Sequence, residues 1–120
     1  MGMAGYASSW SANFLGAKRS KLEEDLLFQL QHENLPEPEC EYKFLEDRKF
    51  RFDLAWPMLM VAAEVEGGSW ILSGHTSGTG INRDCEKGNL AQLNGWIYLR
   101  FTSNMIQSGE AIETLREALK

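Results

Sequence analysis

Leucines recur at every fourth position from Leu22 through Leu26 to Leu30, while Lys18, Arg19, Lys21 and Glu24 take the other faces. This spacing predicts an amphipathic helix over about 17–34. Leu35-Pro36-Glu37-Pro38 should end it, because proline lacks an amide donor and pushes its predecessor out of helical angles. Tyr42 and Phe44 then alternate with Glu41 and Lys43, as in a short edge strand. From Lys49 the alternation sharpens. Phe50, Phe52, Leu54 and Trp56 fall on one face, Arg51 and Asp53 on the other, and Pro57 forces a turn. Residues 59–66 are almost unbroken apolar until Glu64 and Glu66, the profile of a central strand covered on both faces. Gly67-Gly68 closes it.

Further on, Trp70-Ile71-Leu72 suggests a brief strand, and 73–80, rich in Gly, Ser and Thr, a candidate flap. Asn82 can cap a helix running to about residue 94, with Gly95 at a common stopping place. Residues 96–101 alternate as a strand, and Ile112, Leu115 and Leu119 mark a final helix over about 109–119. Residues 1–16 show no sustained period and read as a flexible arm, leaving 17–120 as one folded domain.

Composition adjusts this picture only slightly. With 120 residues, 43% hydrophobic and 24% charged, the chain can bury one core and is no disordered tail. Twelve basic against seventeen acidic residues give a net charge of -5, which excludes a general electrostatic glue for nucleic acid. A local metal site and basic stripe remain compatible with that charge. Two cysteines, Cys40 and Cys85, offer neither a CxxC zinc motif nor a disulfide framework. No apolar run reaches the roughly eighteen residues a membrane span needs, and Tyr6 stands where a myristoylation signal requires Ser or Thr. The expectation is a cytoplasmic protein with no membrane anchor.

The acids carry the chemistry. Glu64 and Glu66, two apart on a strand, project to the same face. If 57–60 makes the hairpin turn, Asp53 lies across from Glu64, which gathers three carboxylates. Opposed like charges cost roughly 0.2–1 kcal/mol per pair, and a hard cation with oxygen ligands relieves them. From spacing alone, the same acids equally describe a strand ending at solvent, with Asp53 paired to Arg51 or Arg83.

At these residues the chain resembles a known family. Phe52-Asp53-Leu54-Ala55-Trp56-Pro57 followed by Val61-Ala62-Ala63-Glu64-Val65-Glu66-Gly67-Gly68 looks like the catalytic hairpin of PD-(D/E)XK endonucleases. The nearest group is short phage and bacterial nucleases related to very-short-patch repair endonucleases. The similarity runs from about Ser20 to the C-terminus. It takes in Ser20-Lys21-Leu22-Glu23, the glycine loop holding His75, Asp84-Cys85-Glu86-Lys87, and Gly95-Trp96 leading into Leu99-Arg100-Phe101.

The resemblance implies an α/β restriction-endonuclease-like fold, a mixed β-sheet flanked by helices. It also implies a metal-dependent endonuclease, using Mg2+ with Mn2+ as substitute, that cuts DNA in a bacterial host cell and is host- or phage-encoded. Asp53 and Glu64 match the family's metal-binding acids. Glu66 departs from the nominal lysine; it is assigned here as a third metal-site acid, with Lys87 supplying the cation. Glu23 matches the acid that the first helix turns toward the site, with Glu24 as fallback, and His75 completes the set as a phosphate contact or proton shuttle. Each has a plainer reading: Glu23 and Lys87 as solvated helix-face charges, His75 as a loop histidine. Trp56, Trp70 and Trp96 read as core before base-stacking, and Lys18, Arg19 and Lys21 as a solvated face. Dimerisation or a partner protein would supply a second cut. A catalytically inactive nuclease-fold module that binds nucleic acid or protein is the competing function, since folds do not fix activity.

Overall fold

The computed structural model describes Trp10, residues 19–67 and residues 78–120. Helix α1 spans Lys21–His32. It starts where its cap dictates. The Ser20 hydroxyl accepts the Glu23 N–H at 3.1 Å and the Glu23 carboxylate accepts the Ser20 N–H at 2.8 Å, a reciprocal capping box. The helix ends earlier than the prolines alone imply. Asn34 takes a left-handed φ of 59° and the Leu35 N–H reaches back to the Leu30 carbonyl at 3.0 Å, so the chain has turned before Pro36.

Strands β1 (Glu39–Lys43), β2 (Arg51–Trp56) and β3 (Val61–Glu66) follow as an antiparallel meander. The turn between β2 and β3 is a short 3-10 segment, Pro57–Leu59, closed by Met60 at φ 56°. Helix α2 (Gly78–Leu93) then crosses to β4 (Ile97–Thr102), which pairs parallel with β3. Among the described residues the outcome is an α/β fold with a four-stranded mixed open sheet in the order β1-β2-β3-β4, flanked by helices.

One helix boundary differs from expectation, and one short helix is unforeseen. α2 begins at Gly78, four residues before Asn82, so the end of the predicted loop is helical despite its glycines. Intrinsic propensity is a weak prior, and α2 is fixed by its packing on the sheet: Ala91 is fully buried, and a Cβ on Gly88 would sit 3.6 Å from Tyr98. The final helix falls where its period predicts, and a brief further helix precedes it. α3 (Ser103–Ser108) and α4 (Glu110–Ala118) meet at Gly109, whose φ of 90° is the left-handed corner that a glycine adopts without strain. Thr102 caps α3 through the Met105 N–H. The predicted strand at 70–72, the loop residues 73–77 with His75, and the 16/17 boundary of the arm lie outside the described residues.

The sheet separates two apolar layers. On one side Leu26, Leu27 and Leu30 of α1 pack with Leu54, Val61 and Phe101 and with Ile112 and Leu115 of α4. On the other, Phe52, Ala55 and Ala62 pack with Ala91 and Trp96. Burying each large side chain contributes roughly 1.5–3 kcal/mol. Trp56 and Trp96 are both core, 4% and 6% exposed. Among the described residues no helix is long and apolar enough to cross a membrane. Cys40 and Cys85 are free thiols.

Candidate active site

The β2–β3 hairpin pairs Leu54 with Ala63, Ala55 with Ala62 and Trp56 with Val61. One step outward stand Asp53 and Glu64, the register that symmetry about the turn predicts. Here side chains replace the ladder. The Asp53 N–H donates to Glu64 Oε2 at 3.1 Å, and the Val65 N–H donates to Asp53 Oδ2 at 2.8 Å. Each carboxylate therefore takes the acceptor role of a strand carbonyl, which fixes both acids beside each other.

Across the other ladder the pleat breaks. β1 and β2 pair Cys40 with Leu54 and Tyr42 with Phe52, but Glu41 and Asp53 between them are unpaired, and Glu41 has φ 53°. Leu54 and Cys40 belong to the α1 layer, whereas Phe52 and Tyr42, two residues away, belong to the α2 layer. Both strands thus exchange faces at Glu41 and Asp53, as strands do at bulges beside functional sites. Arg51 Nη1 steadies the kink by donating to the Glu41 carbonyl at 3.2 Å. The capping box meanwhile holds Glu23 at the start of α1. One ligand oxygen from each of Glu23, Glu41 and Asp53 lies within 4.8 Å of the others.

Lys87, projecting from α2, reaches Glu64 Oε2 with Nζ at 2.7 Å and stands 5.8 Å from the Phe52 ring centroid. This pair is largely enclosed, with side-chain exposures of 15% for Lys87 and 13% for Glu64. Glu66 shares the face of Glu64 and borders the same groove of about 320 Å³. It does not join the other acids. Its Oε2 accepts from Arg100 Nε of β4 at 2.8 Å instead. Tyr98 lines that groove as well.

Electrostatics follow from the geometry. Burial, more than any other cause, lifts the Asp53 carboxyl to about 6. The Val65 N–H and Lys87 oppose the rise, and Glu23 and Glu41 add to it. Glu64 rises to about 7, again chiefly by burial and then by the nearby Asp53 charge, against the pull of Lys87. Burial also pushes the Tyr98 phenol well above its ordinary value, so it remains a hydrogen-bond donor at neutral pH.

The structure thus brings Asp53, Glu64, Lys87 and Glu23 to one end of the sheet and leaves Glu66 in an ion pair at its margin. His75 is outside the described residues. Glu41, Tyr98 and Arg100 were not singled out from the sequence. Glu41 had one legible signal, its place opposite Asp53 once β1 and β2 are put in register, but that register depends on a connection with no turn motif. No protein-family model, curated protein or solved structure matches the chain.

Proposed function

We propose that the chain is a metal-dependent endonuclease that hydrolyses DNA phosphodiester bonds on a restriction-endonuclease-like fold. The observation that carries this reading is the placing of two enclosed carboxylates side by side, Glu64 accepting the Asp53 N–H and Asp53 the Val65 N–H, with the Lys87 ammonium 2.7 Å from Glu64. Two enclosed acids that share one cation are costly to keep charged, and perturbed carboxyls beside a groove mark functional sites.

The donor set fits a hard divalent cation. Glu23, Glu41 and Asp53 present only oxygen atoms, and their mutual repulsion contributes to the raised Asp53. These three would hold Mg2+, with Mn2+ able to substitute. Bound there, the cation supplies Lewis-acid charge to the phosphodiester and makes water a stronger nucleophile near neutral pH. The remaining steps belong to the chain's own residues. Lys87 offsets the charge that gathers on phosphate oxygens during displacement. Glu64 holds Lys87 through Oε2, while Oε1 carries neither of the two bonds made by Oε2 and takes the proton of the attacking water. Tyr98 keeps a donor hydroxyl in the adjoining groove.

The test is incubation with duplex, nicked, branched and single-stranded DNA in Mg2+, in Mn2+ and after exhaustive chelation. Cleavage of at least one substrate, lost on chelation, is the expected outcome. Cleavage that survives chelation removes the cation from the account, and inertness on every substrate removes the activity.

A further inference from the structure

A second groove, of about 560 Å³, opens beside the first, and the two share Arg83, Asp84 and Lys87. Its wall carries five cations, Arg48, Lys49, Arg51, Arg83 and Lys87. Asp47 and Asp84 share the wall, and Glu86 and Glu64 pair with Arg48 and Lys87, so among the described residues five cations face four acids, a local charge of +1 on a chain whose net charge is -5. Such a reversal concentrates an anion locally while the rest of the surface repels it.

The partners of these cations narrow the ligand further. Arg48 is engaged by Glu86 at 2.7 Å, Arg51 by the Glu41 carbonyl and Lys87 by Glu64. Lys49 and Arg83 form no ion pair among the described residues, so their charge is uncompensated where the groove is open. The same wall carries Phe50, half-buried, with the Arg48 guanidinium 4.7 Å from its ring centroid. A guanidinium stacked on an aromatic ring is a flat cationic platform. Proteins that grip single-stranded nucleic acid combine these two parts, a positive groove along the backbone and a planar surface for an unpaired base. A paired base, enclosed in its stack, cannot reach such a platform.

We infer that this groove binds a single-stranded stretch of nucleic acid, Lys49 and Arg83 taking its phosphates and the Arg48–Phe50 platform an unstacked base, next to the phosphodiester held at Glu64 and Lys87. The inference rests on the nuclease reading of the acidic site and gives that site a substrate class, DNA with an unpaired segment.

The experiment is fluorescence anisotropy of a labelled short oligothymidylate, and of a duplex of equal length, with the full chain in chelator so that nothing is cut. The single strand should bind more tightly than the duplex. Lys49→Ala and Arg83→Ala should each flatten the dependence of log Kd on log salt by about 0.7, the value for one single-strand phosphate contact. Phe50→Ala should weaken the single strand by roughly five- to a hundredfold and the duplex hardly at all. Circular dichroism of each variant, and a Phe50→Tyr variant that restores affinity, separate lost stacking from lost folding. Equal affinity of the three alanine variants and the wild type overturns the inference, as does tighter binding of the duplex. Failure here leaves cleavage intact, whereas groove-dependent binding by a chain that cuts nothing upholds the groove and removes the nuclease reading.

Discussion

Lys87 is the residue on which the acidic site depends for balance. It is the nearest cation to Glu64 and one of the groups that hold Asp53 below the value burial would give it. Removing one partner of an enclosed pair leaves the other charge uncompensated. Lys87→Ala should therefore destabilise the chain by on the order of 3 kcal/mol in denaturant titration, far more than the loss of an exposed ion pair. Glu66→Gln gives the contrast. It breaks only the half-exposed pair with Arg100, so it should cost under about 1 kcal/mol and leave the metal requirement of cleavage unchanged.

The two raised acids set a pH dependence at the same scale. Unfolded, Asp53 and Glu64 return to ordinary values of 3.8 and 4.5, while folded they titrate at about 6 and about 7. In that window the folded chain holds more protons than the unfolded one, so stability falls as pH rises through it. The penalty is complete above the folded values and absent below the unfolded ones. The denaturation midpoint of the chelated chain should climb as pH is lowered from about 8 to about 5, and Asp53→Asn or Glu64→Gln should flatten the climb. A midpoint that falls over this range would show that these acids are not strained in their charged forms.

At the scale of elements, the kink shared by β1 and β2 exchanges backbone comfort for the position of a carboxylate. Glu41 sits at φ 53°, a conformation costing a side-chain-bearing residue roughly 1–2 kcal/mol and glycine almost nothing. Glu41→Gly should raise the thermal midpoint of the metal-free chain by a few degrees and weaken Mg2+ binding in calorimetry. Lower stability in the glycine variant would show that the carboxylate, not the backbone, dominates at that point.

The same elements show what could be read from the sequence. Local periods place α1, β2, β3 and β4, and symmetry about the turn at 57–60 gives the register that sets Asp53 against Glu64, because a tight turn leaves a hairpin few alternatives. The interruption of the pleat was hidden. Phe52 and Leu54 look like one face by alternation and lie in opposite layers, since the switch is forced by pairing with β1 across a seven-residue connection. That connection carries no local signal. The brief α3 did leave one, Thr102 before and Gly109 after it, but six residues are too few for an apolar period to show. Glu66 was placed on the right face. Its partner Arg100 comes from a parallel neighbour whose register only the crossover through α2 determines.

For the molecule as a whole, the sheet acts as a frame whose layers each send one kind of group to a common end. α1 contributes Glu23, the strands contribute Glu41, Asp53 and Glu64, and α2 contributes Lys87. Glu23 thus comes from the α1 layer and Lys87 from the α2 layer, with the strand acids between them. On the proposed function, this division lets a net-acidic chain serve a polyanion, the carboxylates facing a cation and basic residues lining the adjoining groove. We propose cation-dependent cutting of DNA at Asp53 and its neighbours. It is tested most directly by the rate of DNA cleavage as a function of Mg2+ concentration, measured in parallel for the wild type and Asp53→Asn. The expected result is a saturable Mg2+ dependence in the wild type and a loss of about a thousandfold in a variant that remains folded, the scale of removing a transition-state contact. Wild-type rates in Asp53→Asn, or a rate indifferent to Mg2+, would contradict it.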